Sequence, residues 1–301
     1  MASVEIVEVG PRDGLQNEKV MVSTADKVEL ARRAIAAGIK RLEVTSFVNP
    51  ARVPQMADAE DVVKLLGRPE GVTRVGLVLN EKGAERAIAC GLDQLGAVTL
   101  ASDTFGIRNQ KQTSAESVEV ATRIIAQGKA AGLSAQVTIS AAFGCPFEGE
   151  VDPAKVVAMA RQLATAGPCE IVLADTIGVA VPAQVTRLVS AVKAALGLIP
   201  VRVHFHDTRN TAIANVWAAV EAGASTIDAS IGGLGGCPFA PGAAGNVATE
   251  DVIYLLNRSG VTTNVDFDAL VATSHWLGSV MGKQLPSQLA KAGGFPKSEA
   301  K

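Results

Sequence analysis

The sequence predicts an α/β protein, a (β/α)8 TIM barrel with a short C-terminal helical extension. Strand-length apolar runs alternate with Ala-rich helical segments about every 32 residues, which fits the ~250 residues of such a barrel. Of the 301 residues, 48% are hydrophobic and only 4% aromatic, which suits packed helices and strands better than an all-β sandwich. A doubly wound open sheet is the alternative, but residues 10–14 lack the GxGxxG pattern of its phosphate loop.

Eight apolar runs have the length and β-branched composition of buried strands. In chain order they span residues 4–9, 41–45, 74–79, 94–100, 135–140, 170–174, 201–206 and 225–229. Ala-rich segments with helical periodicity lie between them, for example at residues 24–37, 115–131, 153–166, 182–195 and 211–222. Several of these segments begin at Ser, Thr, Asp or Pro, which are preferred at helix starts.

Most of the predicted helices end in an Ala-Gly pair, at Gly38, Gly132, Gly167 and Gly223. Glycine adopts the left-handed conformation that closes a helix before the next strand. We therefore expect residues 1–265 to form one catalytic barrel domain. Residues 266–301 are expected to add a helix at 268–281 and a frayed tail.

Composition excludes several classes of partner. The chain has 28 Lys and Arg against 30 Asp and Glu, a net charge of −2, so neither nucleic acid nor an anionic membrane is an expected partner. No apolar stretch approaches the ~20 residues of a membrane span. The start lacks a basic targeting segment, and the four cysteines show no metal-binding or disulfide spacing. We expect a cytoplasmic protein that acts on a small molecule.

Polar residues crowd the carboxyl ends of the predicted strands, where the active site of a TIM barrel lies. They are Arg12, Asp13, Glu43, Ser46, Asn80, Ser102, Asp103, Ser140, Asp175, Thr176, His204, His206 and Ser230. Two of the three histidines form His204-Phe205-His206, and the strand period of two puts both imidazoles on one face. With Asp13 at the end of the first strand and the carbonyl of Asn246, they could bind Mg, Mn, Co or Zn.

Each of these assignments has a plainer alternative. The two histidines could simply be hydrogen-bonded at a strand end, and Asp13 could be a turn residue in Pro-Arg-Asp-Gly. Arg12 is suited to stabilising an enolate or carboxylate oxygen, but it could instead pair with Glu43 to hold loops together. Cys237 belongs to the glycine-rich segment 232–238 and could transfer a proton from this loop, or it could be an unimportant thiol on a hinge.

Four segments together resemble the 3-hydroxy-3-methylglutaryl-CoA lyases of the DRE-TIM metallolyase superfamily. They read GPRDGLQNE at residues 10–18, LEVTSF at 42–47, HFHDT at 204–208 and GLGGCPF at 233–239. Residues 53–58, 144–149 and 174–178 also match. The resemblance runs from about residue 4 to 265, and the glycine-cysteine loop is its most specific part.

The resemblance implies a retro-Claisen cleavage of 3-hydroxy-3-methylglutaryl-CoA to acetyl-CoA and acetoacetate by a homodimer. It implies a divalent ion, Mg or Mn, held by Asp13, His204, His206 and Asn246. Arg12 would stabilise the enolate, Cys237 would act in proton transfer, and Glu43 and Asp175 would position the metal water and the substrate. Substrate-binding positions implied by the same motifs are Gln16, Ser46, Thr176, Gly235 and Gly236.

One segment departs from the family pattern. After His206-Asp207-Thr208, the lyases usually continue Tyr-Gly-Gln, whereas this chain reads Arg209-Asn210-Thr211. Arg209 could contact a CoA phosphate or a different acyl carboxylate, or be a solvated residue at a helix start. A lyase for a longer 3-alkyl branch or another 3-hydroxyacyl-CoA is therefore an alternative. Others are a Claisen synthase of the superfamily, which the Cys237 loop and short C-terminal extension disfavour, and a non-catalytic sensor.

Overall fold

The computed structural model describes residues 3–236 and 245–296. Eight parallel strands close a barrel in chain order, and the last strand pairs with the first. The predicted TIM barrel is confirmed. Within the described ranges, no helix has the length and apolar character needed to cross a membrane.

The eight strands coincide with the eight predicted runs, and no end differs by more than one residue. They are β1 (Glu5–Glu8), β2 (Arg41–Ser46), β3 (Thr73–Val78), β4 (Gln94–Leu100), β5 (Ser134–Ser140), β6 (Ile171–Asp175), β7 (Val201–Phe205) and β8 (Thr226–Ala229). This agreement follows from the apolar and β-branched residues that recur along each strand, and the strands are almost entirely buried.

The helices cover the outside of the barrel. They are α1 (Thr24–Ala36), α2 (Ala59–Leu66), α3 (Glu81–Ala89), α4 (Asp103–Gln110), α5 (Ser114–Ala130), α6 (Pro153–Ala164), α7 (Pro182–Leu196), α8 (Ala212–Glu221), α9 (Thr249–Arg258), α10 (Phe267–Met281) and α11 (Leu289–Ala292). Helix starts use the expected caps: Ser23 accepts a hydrogen bond from Asp26 N, and Thr113 forms a capping box with Glu116. The four glycines predicted to close helices all have positive φ.

Alternate residues of each strand face the barrel axis, and many of them are charged. On β7, Val201, Val203 and Phe205 join the outer apolar core, whereas Arg202 and His204 face inward. Arg202 forms an ion pair with Asp228, and at the amino end of the barrel Arg41 pairs with Glu170 at 3.1 Å. Because barrel interiors are usually filled by branched apolar residues, this polar column is unusual. It leads directly to the carboxyl ends of the strands.

The C-terminal extension packs against elements that carry the site. Helix α10 lies along α1, where the Arg33 guanidinium stacks over the Trp276 ring at 4.6 Å. Farther along the chain, Ser287 N donates to Gly232 O at 3.0 Å, and the Leu285 side chain is buried. The extension therefore supports the start of the loop that follows β8.

Candidate metal centre

The turn after β1 places Arg12 and Asp13 at the mouth of the barrel. Residues Gly10–Gly14 form a single π-helical turn, with Gly14 N donating to Val9 O at 3.1 Å. Such turns occur frequently at functional sites. A Cβ on Gly14 would lie 2.6 Å from Ser230 Oγ, so glycine allows the turn to contact the segment after β8. Asp13 is therefore not the residue of a simple type I turn.

Asp13, His204 and His206 converge. Asp13 Oδ2 lies 3.8 Å from His204 Nε2 and 3.5 Å from His206 Nε2. The potential ligand atoms of the three residues all lie within 4.8 Å of one another. Ligand atoms that share one divalent ion at ~2.1 Å are themselves about 3 to 4 Å apart. The spacing of these side chains therefore suits a common ion.

Asn246 completes the group. An isolated β-bridge holds Asn246 opposite His206, and Asn246 Nδ2 donates to Asp13 Oδ2 at 2.8 Å and to Leu234 O at 3.1 Å. Its Oδ1 atom is buried and has no hydrogen-bond partner in the described part of the chain. A buried amide oxygen beside a carboxylate and two imidazoles fits a mixed N and O site for a divalent ion.

Gly235 makes room for this amide. A Cβ at this position would lie 2.5 Å from Asn246 Nδ2, and its φ of +127° is one that other residues rarely adopt. Gly236 O accepts a hydrogen bond from Asn17 Nδ2 at 2.8 Å. The two glycines therefore connect the loop after β8 to both Asn246 and the segment after the π-helical turn. Cys237, the next residue, lies outside the described residues.

Arg12 is held between two carboxylates. Its Nε atom donates to Glu43 Oε2 at 2.6 Å, and its Nη1 atom donates to Asp13 Oδ1 at 2.5 Å. Burial opposes the charge on Asp13, but Arg12, His206 and His204 outweigh it and hold the pKa of Asp13 well below its usual range. The Asp13 carboxylate is therefore ionised at neutral pH and can bind a cation. The predicted pairing of Arg12 with Glu43 is present in the structure.

Glu43 lies beneath Arg12 and is almost fully buried. Burial raises its pKa, and the charges of Arg12 and Arg202 only partly offset this effect. Among the described residues, Ser46 Oγ and Gln16 Oε1 are buried atoms without a hydrogen-bond partner. Both belong to segments at the mouth of the barrel, since Ser46 ends β2 and Gln16 follows the π-helical turn that carries Asp13.

Asp175 and Thr176 already have partners in the protein. Asp175 accepts hydrogen bonds from Val179 N at 3.0 Å and Ala180 N at 2.9 Å, and burial raises its pKa against those contacts and the two histidines. The Thr176 hydroxyl accepts a hydrogen bond from Ala141 N at 2.9 Å. These two side chains brace the loops after β5 and β6.

Arg209 also binds this loop. Its Nη1 atom donates to Ile177 O at 3.1 Å and to Gly178 O at 2.9 Å. Arg209 is solvent-exposed, as expected for a solvated residue before α8, but it also makes these two contacts. The guanidinium joins the loop after β7 to the loop after β6.

The sequence reasoning missed two buried acids near the site. Asp228 Oδ2 lies 3.0 Å from His204 Nδ1; burial opposes its ionisation, but Arg202 and His204 lower its pKa. Glu8 accepts hydrogen bonds from Gly10 N, Ile231 N and Thr249 Oγ1. Both residues lie inside predicted strands, and the available signal was a carboxylate within a strand predicted to be buried.

Residues 3–277 match the HMGL-like family. The chain is 44% identical over 303 residues to the (R)-citramalyl-CoA lyase of Chloroflexus aurantiacus, with 97% of this chain and 96% of that protein covered. It is 42% identical over 289 residues to the 3-hydroxy-3-isohexenylglutaryl-CoA/hydroxy-methylglutaryl-CoA lyase of Pseudomonas aeruginosa, with 96% of each covered.

A solved structure shows the same fold. It is an HMG-CoA lyase from Acinetobacter baumannii in complex with coenzyme A and 3-methylmalate. The two chains superpose with a TM-score of 0.94 at 39% identity, over 99% of this chain and 98% of that one. The likeness therefore extends over the barrel and the C-terminal extension together.

Proposed function

Because the chain belongs to the HMGL-like family, we propose that it is a divalent-metal-dependent acyl-CoA lyase. Its proposed reaction is the cleavage of 3-hydroxy-3-methylglutaryl-CoA to acetyl-CoA and acetoacetate. The observation that carries the proposal is the convergence of Asp13, His204 and His206 with the Asn246 Oδ1 atom, directly beside Arg12. This oxygen accepts no hydrogen bond from the described residues. The relatives with lyase names cover nearly the whole chain, which supports the same reaction type.

The reaction breaks the bond between the carbinol carbon and the α-carbon of the thioester. The hydroxyl group loses its proton and becomes the ketone of acetoacetate, while the electron pair of the broken bond forms the enolate of acetyl-CoA. A proton added at the α-carbon completes acetyl-CoA. A divalent ion, Mg or Mn, held by Asp13, His204, His206 and Asn246, supplies Lewis acidity that lowers the pKa of the hydroxyl.

Arg12 is the residue proposed to stabilise the enolate. Its contacts with Asp13 and Glu43 fix the guanidinium, yet Nη1 and Nη2 each carry a second hydrogen that can point to the thioester oxygen. A fixed donor at a developing oxyanion contributes about 3 to 4 kcal/mol to transition-state stabilisation. Because Arg12 is already held in place, little reorganisation is needed during the reaction.

The remaining site residues have supporting roles in this proposal. Cys237 transfers a proton from its glycine-rich loop, and Glu43 and Asp175 position water and substrate. The proposed substrate contacts are Gln16, Ser46, Thr176, Gly235 and Gly236. Buried oxygen atoms of Gln16 and Ser46 have no partner in the described part of the chain, which supports this assignment, since a substrate can supply the missing hydrogen bonds.

The decisive experiment is a cleavage assay. Purified protein is incubated with 3-hydroxy-3-methylglutaryl-CoA and Mg or Mn, and acetoacetate is followed with and without a chelator. We expect turnover that the chelator abolishes and that either metal restores. If 3-hydroxy-3-methylglutaryl-CoA is not cleaved but a bulkier 3-alkyl analogue is, the proposed substrate is wrong and the proposed mechanism stands. Turnover that survives chelation would contradict the metal-dependent mechanism.

A second substrate is favoured by one comparison. The relative from Chloroflexus aurantiacus, at 44% identity, is a citramalyl-CoA lyase. Citramalyl-CoA has the same hydroxyl and thioester arrangement, but its carboxylate is one carbon closer to the hydroxyl. The same bond cleavage gives acetyl-CoA and pyruvate. Parallel kcat/KM values for the two thioesters decide between them, because the larger value identifies the preferred acyl group.

The proposal also covers the domain boundaries, the oligomeric state and the cellular compartment of the protein. We assign residues 1–265 to the catalytic barrel and 266–301 to the helix and tail, and we expect a cytoplasmic homodimer with an acyl-CoA as its small-molecule partner. The near-complete coverage of the relative with bound coenzyme A supports the acyl-CoA assignment. Sedimentation of the purified protein at several concentrations tests the oligomeric state.

A further inference from the structure

His204 is held from two sides. Its Nε2 atom faces Asp13 Oδ2 at 3.8 Å, and its Nδ1 atom lies 3.0 Å from Asp228 Oδ2. Asp228 and His204 are direct partners in the register of β7 and β8. Because a carboxylate accepts hydrogen bonds, the neutral His204 imidazole carries its hydrogen on Nδ1. The lone pair of Nε2 is then directed toward Asp13 and the proposed ion site.

Asp228 is in turn held by Arg202. The Arg202 Nε and Nη2 atoms both contact Asp228 Oδ1, the oxygen that does not face His204. Arg202 is only 1% exposed and Asp228 only 4% exposed, so no bulk water competes for these contacts. Each carboxylate oxygen therefore has one assigned direction: Oδ1 faces the guanidinium and Oδ2 faces the imidazole.

The neighbouring His206 lacks this support. Its Nδ1 atom is buried, and within residues 3–236 and 245–296 it has no hydrogen-bond partner. The two imidazoles lie 5.1 Å apart between ring centroids but differ in what holds them. A purely structural role of the Arg202–Asp228 ion pair does not explain why only His204 is supported. A buried ion pair is weak evidence for stability, because apolar side chains of similar volume could fill the same space.

We propose that Asp228 and Arg202 are positioning residues that fix the tautomer and orientation of His204 for metal binding. This inference rests on the metal-dependent function proposed above and assigns a role to side chains below the ligand shell. Carboxylate partners of ligand histidines fix the ring and raise its basicity, and their replacement lowers metal affinity about 10- to 100-fold. Arg202 keeps Asp228 oriented because it occupies the oxygen that faces away from the ring.

The informative variant is Asp228→Asn. An amide has only one oxygen, and Arg202 can only donate, so the oxygen turns to Arg202 and the NH2 group turns to His204. His204 Nδ1 must then accept a hydrogen bond, which moves its hydrogen to Nε2 and removes the lone pair that would bind the ion. The variant keeps the side-chain volume and the Arg202 contact. Because it also removes one negative charge, the tautomer read by NMR carries the test, and the Mn²⁺ affinity accompanies it.

The experiment uses the metal-free protein and Mn²⁺ as the probe. Nitrogen-15 NMR of labelled imidazoles, at a pH where they are neutral, reports the tautomer of each of the three histidines, and a His204→Gln spectrum assigns the relevant signal. We expect hydrogen on Nδ1 in the wild type and on Nε2 in Asp228→Asn. Titration of free Mn²⁺ by electron paramagnetic resonance should show affinity about 10- to 100-fold lower in the variant.

A matched control is Asp93→Asn. Asp93 also accepts hydrogen bonds from a buried arginine, Arg74, at 2.8 Å, but it lies at the amino end of the barrel strands and contacts no histidine. It should keep wild-type Mn²⁺ affinity. A second variant, Arg202→Lys, keeps the positive charge but cannot make the paired contacts of Nε and Nη2 with Asp228. It should lose less Mn²⁺ affinity than Asp228→Asn.

Three results would overturn the proposal. They are a wild-type His204 with its hydrogen on Nε2, unchanged Mn²⁺ affinity in folded Asp228→Asn, and no Mn²⁺ binding by the wild type. The wild-type tautomer is informative even where the variants do not fold. Tight Mn²⁺ binding without cleavage of either thioester or of a bulkier 3-alkyl analogue would refute the proposed lyase function and leave the role of Asp228 intact, so the two failures are distinguishable.

Discussion

Asn246 Nδ2 donates a hydrogen bond to Asp13 Oδ2 over 2.8 Å, joining residues 233 positions apart in the chain. This contact links the turn after the first strand to the segment after the last strand. It also orients the Asn246 amide, because Nδ2 is engaged by Asp13 and Leu234 O while Oδ1 has no partner among the described residues. Asn246 thus orients the Asp13 carboxylate through Nδ2, and its Oδ1 atom provides a neutral oxygen beside that carboxylate.

Asn246→Ala should lose Mn²⁺ affinity by at least about tenfold, because it removes one proposed ligand and the donor that orients Asp13. Isothermal titration with Mn²⁺ measures the effect. Asn257→Ala is a suitable control, since Asn257 Oδ1 accepts a bond from Thr263 Oγ1 far from the cluster. Equal Mn²⁺ affinity in the wild type and Asn246→Ala would remove Asn246 from the ligand set.

Arg12→Gln should fold and lose about 10²- to 10³-fold in kcat, the usual effect of removing one oxyanion donor. Its Mn²⁺ affinity should not fall, because Arg12 and the ion compete for the negative charge of Asp13. Single-turnover rates at saturating Mn²⁺ separate these two effects. A variant with wild-type kcat would exclude Arg12 from enolate stabilisation, and a variant that lost Mn²⁺ binding would make its role structural.

Cys237→Ser should keep wild-type Mn²⁺ affinity and turn over much more slowly, because a hydroxyl is a far weaker acid than a thiol. His206→Ala should lose Mn²⁺ binding and activity together. The pair therefore separates a proton-transfer residue from a ligand, with Mn²⁺ titration and kcat measured on both proteins. Full activity in Cys237→Ser would leave Cys237 as an incidental thiol on the loop.

The sequence predicts the two histidines of the proposed metal site but not the acid that contacts one of them. The period of a strand places His204 and His206 on one face without knowledge of any neighbour. Asp228 contacts His204 only because β8 pairs with β7 in one particular register, and a single sequence does not specify that register. The same limit applies to Arg209, whose two acceptors are backbone carbonyls of a different loop.

Glu8 presents a different case, because its partners explain why a carboxylate lies inside the first strand. It accepts hydrogen bonds from the π-helical turn, at Gly10 N, from the segment after β8, at Ile231 N, and from the start of α9, at Thr249 Oγ1. Burial nevertheless dominates and raises the pKa of Glu8 from 4.5 to about 8, although these three hydrogen bonds lower it.

Glu8→Gln should therefore change how stability depends on pH. A pKa raised in the folded state means that the contribution of Glu8 is fully present below about pH 4.5 and is lost as the pH rises through about 8. Urea unfolding near pH 5 and near pH 9 should show the variant gaining stability relative to the wild type as the pH rises. Some dependence should persist, since burial also raises the pKa of Glu250 to about 7. Parallel stability curves for the two proteins would contradict the assignment.

The variant Arg209→Gln tests whether Arg209 contacts the acyl carboxylate directly or acts by holding the loop after β6 in place. Because its Nη1 atom is engaged by Ile177 O and Gly178 O, Arg209→Gln should loosen the loop that follows Asp175 and lower kcat/KM for both 3-hydroxy-3-methylglutaryl-CoA and citramalyl-CoA by similar factors. Arg187→Gln, on the exposed face of α7, is the control and should retain wild-type rates. The ratio of the two kcat/KM values is the measurement. If that ratio changes more than about tenfold, which is about 1.4 kcal/mol, the guanidinium contacts the acyl carboxylate directly.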